Sequence, residues 1–395
     1  MSFLVDSYVK SGSSFDDFQK ALTEMHEKTK YLEVNTKEME LLSIRGISED
    51  QDGNQWLLVN HNIPGQETAL RQRLSLEKIR RNVSEDLIQE LSNTKLLVQA
   101  NGKLLFTSQF MMTTLESRVK IGGSSVSIPS LKRDEYINEL FDSMHLPVKL
   151  LYREENSIKK IFSVHSEKYA EIPQNILPQI VEALSDLGTV KCEGWEITHD
   201  MTWVWVSFPD KAKEISDFYH LPDIIVPTLY LGTSDTGAAS VTAIGKLQID
   251  RSNATQHIYR HKHMGDLTPD SVVEEIKKTI FAHYTQMPER LCELLTIPVS
   301  DPKKVVYSVF RQVHMGKAIG RKLAISLKRQ LCNEFVEGQP YTAYDVAMGI
   351  LTMPQRCLGI SKSLQNKLEE ATTKAVFANY KQLEEKEETN PILVA

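Results

Sequence analysis

Three of the chain's 11 histidines stand within seven positions, His257, His261 and His263 of HIYRHKHMGD. In a strand, side chains alternate, so these three and Tyr259 are expected on one face. A His-x-His pair can grip a zinc ion from two sides. A catalytic zinc needs a third protein ligand and an open position, and Asp235 and His283 are the remaining candidates. The spacing forces neither into place, and a polar strand face accounts for the pattern without a metal. Arg260 and Lys262 fall on the opposite face. With the tyrosine and histidines they supply the stacking surfaces and phosphate donors that single-stranded nucleic acid needs.

A second cationic stretch gives that reading weight. Residues 303 to 329, KKVVYSVFRQVHMGKAIGRKLAISLKR, hold eight Lys or Arg and no Asp or Glu, in a chain of net charge −6. Such local asymmetry marks either a solvated helix balanced by acidic neighbours or a polyanion contact. On a helix, Lys317, Arg321 and Lys328 with the nearby Lys322 and Arg329 form a broad stripe, Arg311 opens the basic helix over 311–329 that would meet nucleic acid, and Val309, Phe310, Val313, Leu323 and Leu327 can face a core. Each phosphate neutralised by such a stripe adds salt-dependent affinity.

Other motifs carry less. SVTAIGKL, 240 to 247, lacks the first glycine and the final Ser or Thr of a phosphate-binding loop and sits inside a strand pattern. TSDTG, 233 to 237, is explained first as a turn in which Gly237 takes positive φ and the Asp and Ser side chains bond their own backbone. Trp195, Trp203 and Trp205 read first as core.

Hydrophobic content of 41% and charged content of 25% are ordinary globular values, and 395 residues exceed one small core. Cys192, Cys292, Cys332 and Cys357 form no Cys-x-x-Cys pair, which favours a reducing compartment over a disulfide framework. MSFLVDSYVK has no long apolar core of the secretory kind, and no run of roughly 18 apolar residues occurs. A cytoplasmic location without membrane contact is the expectation.

These residues must be positioned by recognisable elements. Residues 14 to 42 read as a helix capped by Ser14, and 66 to 94 as another with a capping box at Asn82 and Glu85. Asp52-Gly53 and Asn101-Gly102 mark tight hairpins. The Gly- and Ser-rich stretch 119 to 130 reads as a linker. VKLLYREENSIKKIFSVHSEKYAEI, 148 to 172, reads as two strands joined by a polar turn at Glu154 to Ser157, and further strands follow at TVKCEGWEI, TWVWVSF, IIVPTLYLGTS, ASVTAIGKLQI and the histidine stretch. NILPQIVEALSDLG reads as a helix closed by Gly188, and Thr268-Pro269 opens another. From 303 to 335, 341 to 353 and 364 to 388 the pattern is helical again. The fold class is therefore α+β, a mostly antiparallel sheet flanked by helices after an N-terminal helix and hairpin region. The divisions are 1–130, 145–360 and a charged helix or tail over 361–395.

From about 147 to 353 the chain resembles a family of phage- and plasmid-encoded proteins described only as a domain of unknown function. The pieces that carry the resemblance are SVHSEKYAEIPQNILPQIVEAL, GWEITHDMTWVWVSF, LYLGTSDTGAASVTA, IYRHKHMGD and PYTAYDVAMGILTMP. Asp235 stands where the family has His and Thr236 where it has Asp. A chemistry resting on that His-Asp pair is thus not implied for this chain. The resemblance implies a mobile-element protein in a bacterial host cell. The leading expectation is a phage or plasmid nucleic-acid-binding protein, for single-stranded DNA first and RNA as the alternative, that assists recombination or replication without enzymatic chemistry or a cofactor. Two other classes remain: a virion or interaction component, such as a homo-oligomer or an inhibitor of a host protein, and a zinc-dependent enzyme built on His257, His261 and His263.

Overall fold

The computed structural model describes residues 2–61, 71–75, 96–119, 130–156, 158–222, 224–249, 252–263, 268–357 and 359–385. Among them lie two large sheets and a C-terminal group of helices, the expected α+β class with mostly antiparallel pairing.

Eight strands form the first sheet, in the order β2 (Thr29–Asn35), β8 (Pro147–Glu155), β9 (Ile158–Ser166), β7 (Lys103–Thr107), β6 (Leu96–Ala100), β3 (Met39–Glu49), β4 (Gln55–His61), β5 (Arg71–Ser75). Both expected hairpins are present: β3 pairs with β4 across Asp52-Gly53, and β6 with β7 across Asn101-Gly102. Asn101 and Gly102 have φ of 45° and 69°, the left-handed pair that such a turn requires. One face of this sheet packs on α2 (Gln109–Arg118) and α3 (Ser130–Met144) through Met111, Leu115, Ile137 and Phe141. On the other face Leu4 and Val5 of the N-terminal segment lie against Leu151 and Phe162.

The second sheet has six strands, in the order β1 (Val9–Gly12), β10 (Lys191–Thr198), β11 (Thr202–Ser207), β12 (Ile225–Thr233), β13 (Val241–Ile249), β14 (Ser252–His261). Its inner side chains, among them Trp195, Val204, Leu229 and Ala243, pack on α1 (Phe15–Lys28), α4 (Ile176–Ala183) and the first half of α6 (Pro269–Leu295). Phe18, Ala21, Leu22 and Met25 of α1 repeat at helical spacing and are all buried. The second half of α6 joins the C-terminal helices in a separate apolar cluster.

Three expectations are corrected. The helix expected over 14–42 ends at Lys28, because from Thr29 the chain pairs with β8 as a strand. In the stretch 66–94, residues 71–75 are a strand paired with β4, and Asn82 and Glu85 lie outside the described residues. The helical run expected over 303–335 is three helices. Strand pairing also crosses the expected division near 130–145: β8 and β9 belong to the same sheet as β2 to β7, and β1 adds to the second sheet by pairing with β10. The linker expected at 119–130 lies largely outside the described residues. Among the described residues, no helix is long and apolar enough to cross a membrane.

Candidate nucleic-acid interface

Asp301 caps α7 (Pro302–Gln312) by accepting the Lys304 N–H at 3.0 Å, with Pro302 in the first turn. Val305, Val306, Val309 and Phe310 bury one face. His314 then takes a left-handed conformation, φ 52°, and ends the run. A short α8 (Met315–Ile319) follows, and Gly320, at φ 88°, turns the chain into α9 (Arg321–Cys332). Ala324, Leu327 and Leu331 anchor α9 in the same apolar cluster.

The breaks at His314 and Gly320 fold the basic run back on itself. Between α7, α8 and α9 lies a groove of about 310 Å³. Arg311, His314, Lys317, Arg321 and Lys328 line it, and Tyr307 stands at its rim with 45% of its surface exposed. Phe310, Met315 and Ala324 contribute its apolar floor. Positions 307, 310, 311 and 314, and positions 321, 324, 325 and 328, each share a face at helical spacing. Among the described residues, no carboxylate lines the groove. Arg311, Lys317 and Arg321 are exposed, and among the described residues none of them makes an ion pair. Lys328 sits 3.8 Å from the Tyr307 ring centroid, and burial pulls its pKa below the usual lysine value.

Not every expected cation belongs to this groove. Lys322 and Arg329 are exposed on the neighbouring face of α9. Arg260 and Lys262 are exposed at the far end of β14. The near end of that strand meets α12 (Lys362–Val376), where the Thr255 N–H donates to Thr373 Oγ1 at 2.6 Å. Five residues further on, Arg260 lies roughly 16 Å along the strand. Arg260 and Lys262 are not among the residues that line the groove.

His261 and His263 take different partners. A bulge in the β13–β14 pairing, where Ile244 meets His257 and Ala243 meets Tyr259, breaks the alternation on which a shared face depended. His261 ends the strand, with Nδ1 2.7 Å from the Lys262 carbonyl. His263 lies beyond it, buried, with Nδ1 3.4 Å from Tyr169 Oη and Nε2 3.1 Å from Thr233 Oγ1. The side chains of His257 and His283 lie outside the described residues. Among the described residues, no three His, Cys, Asp or Glu side chains converge on a metal-sized site.

Asp235 is engaged elsewhere. The TSDTG turn plugs into the junction between the two sheets, where Arg153 is fully buried. Arg153 Nη2 donates to both Asp235 carboxylate oxygens, at 3.0 and 2.9 Å, its Nε to Thr29 Oγ1 at 3.3 Å, and its Nη1 to His199 Nδ1. Gln174 donates to Asp235 at 2.9 Å and accepts from Thr202 at 2.7 Å. His199 Nε2 lies 2.7 Å from the Val5 carbonyl, which can only accept, so the proton sits on that nitrogen and Nδ1 is free to accept from Arg153. Burial, reinforced by Arg153, holds the His199 pKa well below its ordinary value. His165, whose Nε2 lies 3.0 Å from the Asp235 carbonyl, is lowered by burial to about 3. Sequence reasoning passed over Arg153, His165 and His199, since single polar residues in strands and turns carry no spacing signal. Tyr307 lay inside the basic run and was not singled out, although Tyr307 and Arg311 stand four apart.

No protein-family model, no curated protein and no solved structure matches the chain.

Proposed function

We propose that this chain binds nucleic acid, holding a phosphate backbone in the groove between α7, α8 and α9. In the phage or plasmid setting that the family resemblance implies, the ligand is single-stranded DNA handled during recombination or replication. One observation carries the reading: four cationic side chains and a histidine converge on a groove with an exposed aromatic rim and, among the described residues, no lining carboxylate. A phosphate backbone fits that chemistry because it presents a line of negative charges without demanding a shaped pocket, and an aromatic ring beside it offers a stacking surface for a base.

The test is fluorescence anisotropy of a labelled single-stranded oligonucleotide at low and moderate salt. The wild-type chain is compared with an R311A/K317A/R321A variant. Salt-sensitive binding that weakens in the variant supports the reading. Absence of binding at low salt refutes it.

A further inference from the structure

One side of the six-stranded sheet is covered by α1, α4 and α6, and on the other side α12 packs at the β13–β14 end, where Glu369 holds Lys246 and Thr255. Val204 and Val206 of β11 point into the core, so Trp203 and Trp205, which alternate with them, face the other way. Both are half-buried, and neither belongs to any of the four apolar clusters formed among the described residues. Each lies over a glycine of a neighbouring strand. A Cβ placed on Gly232 would meet three ring atoms of Trp203 at 2.5, 2.5 and 2.8 Å; one on Gly194 would meet Trp205 at 2.4, 2.6 and 3.0 Å. In each case the three atoms are bonded neighbours in the ring, so each indole lies directly against its glycine while part of its surface stays exposed.

The register extends this surface into a row. Glu196, Trp203, Gly232, Thr242 and Arg260 are successive partners across β10 to β14. Gly232, beneath the indole, and Thr242 are buried, and the exposed Arg260 lies three strand spacings from Trp203, roughly 14 Å. In the next row Trp205 pairs with Tyr230, their rings 15° from parallel at 6.0 Å, and Lys246 lies 4.6 Å from the Tyr230 ring centroid. Of the flanking charges, Glu193 is matched by Lys191 at 2.9 Å and Lys246 by Glu369 at 3.1 Å.

We infer that this outer face is a stacking platform for unpaired bases, one on Trp203 and one on Trp205, with Arg260 meeting the phosphate backbone of the same strand. The inference rests on the nucleic-acid reading but on different residues from the groove. Its specificity for a single strand follows from spacing. The two indoles are two residues apart on one strand, about 7 Å, whereas stacked bases in a duplex are about 3.4 Å apart. Only bases released from pairing and from each other can occupy both rings. Sheet aromatics that stack two or three bases are a general means of gripping single strands.

The test uses the full chain and labelled dT12, with the 12-bp duplex and maltohexaose as controls. A W203L/W205L variant, checked for wild-type unfolding, is expected to lose roughly fivefold or more in dT12 affinity per ring and to bind the duplex as before. Gly232→Val, which lifts Trp203 while keeping both indoles, is expected to reduce the quenching of intrinsic fluorescence by dT12 and serves if the double variant fails to fold. In the R311A/K317A/R321A background the quenching persists at higher dT12 concentration. Unchanged dT12 affinity in the platform variants, with loss in the groove variant, overturns the platform and leaves the groove reading standing. The reverse pattern overturns the groove and leaves the platform. Quenching by maltohexaose and not by dT12 overturns the inference in favour of a sugar ligand. No dT12 binding by the wild-type chain ends both.

Discussion

Arg153 and Arg311 are the same residue type in opposite situations. Arg153 has no exposed surface, and its guanidinium bonds Asp235, His199 and Thr29. Arg311 is exposed on a groove that, among the described residues, no carboxylate lines. At the junction of the two sheets every named polar group has an internal partner, so its hydrogen-bonding capacity is used in holding the N-terminal segment, β8 and the TSDTG turn together. In the groove the cations retain their capacity for something outside the chain. Cationic character alone therefore does not mark a surface open to a ligand. What marks it is cationic character without internal compensation.

The largest expected effect follows at the junction. Arg153→Leu leaves the Asp235 carboxylate, 4% exposed, without its counter-charge, and breaking a buried pair from one side costs about 3–5 kcal/mol. Denaturant unfolding is expected to show that loss, and adding Asp235→Asn to restore part of it, because the second substitution removes the orphaned charge. Oligonucleotide affinity of the folded fraction stays at the wild-type level. A lowered affinity would place the junction within the binding machinery and dissolve the contrast.

At the groove the expectation is inverted. R311A/K317A/R321A is expected to leave the unfolding midpoint in place, since exposed cations without partners contribute little to stability. The salt dependence of single-strand binding should change instead. Removing three phosphate contacts lowers the slope of log K against log salt by about 2. A variant that unfolds more easily with an unchanged slope would show the groove to be structural.

Acid should act on the junction through its histidines. An unfolded chain protonates histidine near pH 6.5, whereas His165 in the fold resists to about pH 3, and burial lowers His263 as well. Between those values the unfolded state binds more protons, so stability falls as pH drops from about 6.5 toward 3 and is insensitive to these groups above pH 7. His165→Gln is expected to make the decline in thermal midpoint between pH 7 and pH 5 shallower. An equal decline in wild type and variant would mean that other groups carry it.

How much of this was readable in the sequence follows the same division. Local signals were legible: Asp-Gly and Asn-Gly turns, the Ser14 and Thr268 caps, and the strand pairs whose hydrophobic residues alternate. The lack of acidic residues between 303 and 329 was also legible, because it is a property of one stretch. Non-local pairings were not. Nothing in VKSG announces that β1 will pair with β10, and nothing in Asp235 announces a buried arginine 82 positions away. The long helix expected from Ser14 failed at Thr29 for that reason, since pairing with β8 outweighed the local pattern. In the basic run, Gly316 and Gly320 were visible, yet the left-handed turn at His314 was not, and that turn makes a groove out of a stripe.

The smallest predicted effect concerns the group that stands between the two situations. Lys328 has an internal partner in the groove, the Tyr307 ring, 3.8 Å from its ammonium, yet that ring is itself half open to solvent. A cation–π contact of this exposure is worth about 0.5–1 kcal/mol, so Tyr307→Leu should lower unfolding free energy by no more than that. Leucine keeps the apolar rim but gives the lysine no electron-rich face. The released ammonium is then available to phosphate, while the base loses a ring to stack on. The two changes oppose each other for single-stranded DNA, whereas duplex binding feels only the first. Duplex affinity is therefore expected to hold or rise slightly in the variant while single-strand affinity falls. A stability loss above about 2 kcal/mol, beyond what an exposed contact supplies, would place Tyr307 with Arg153 among the groups that hold the fold together.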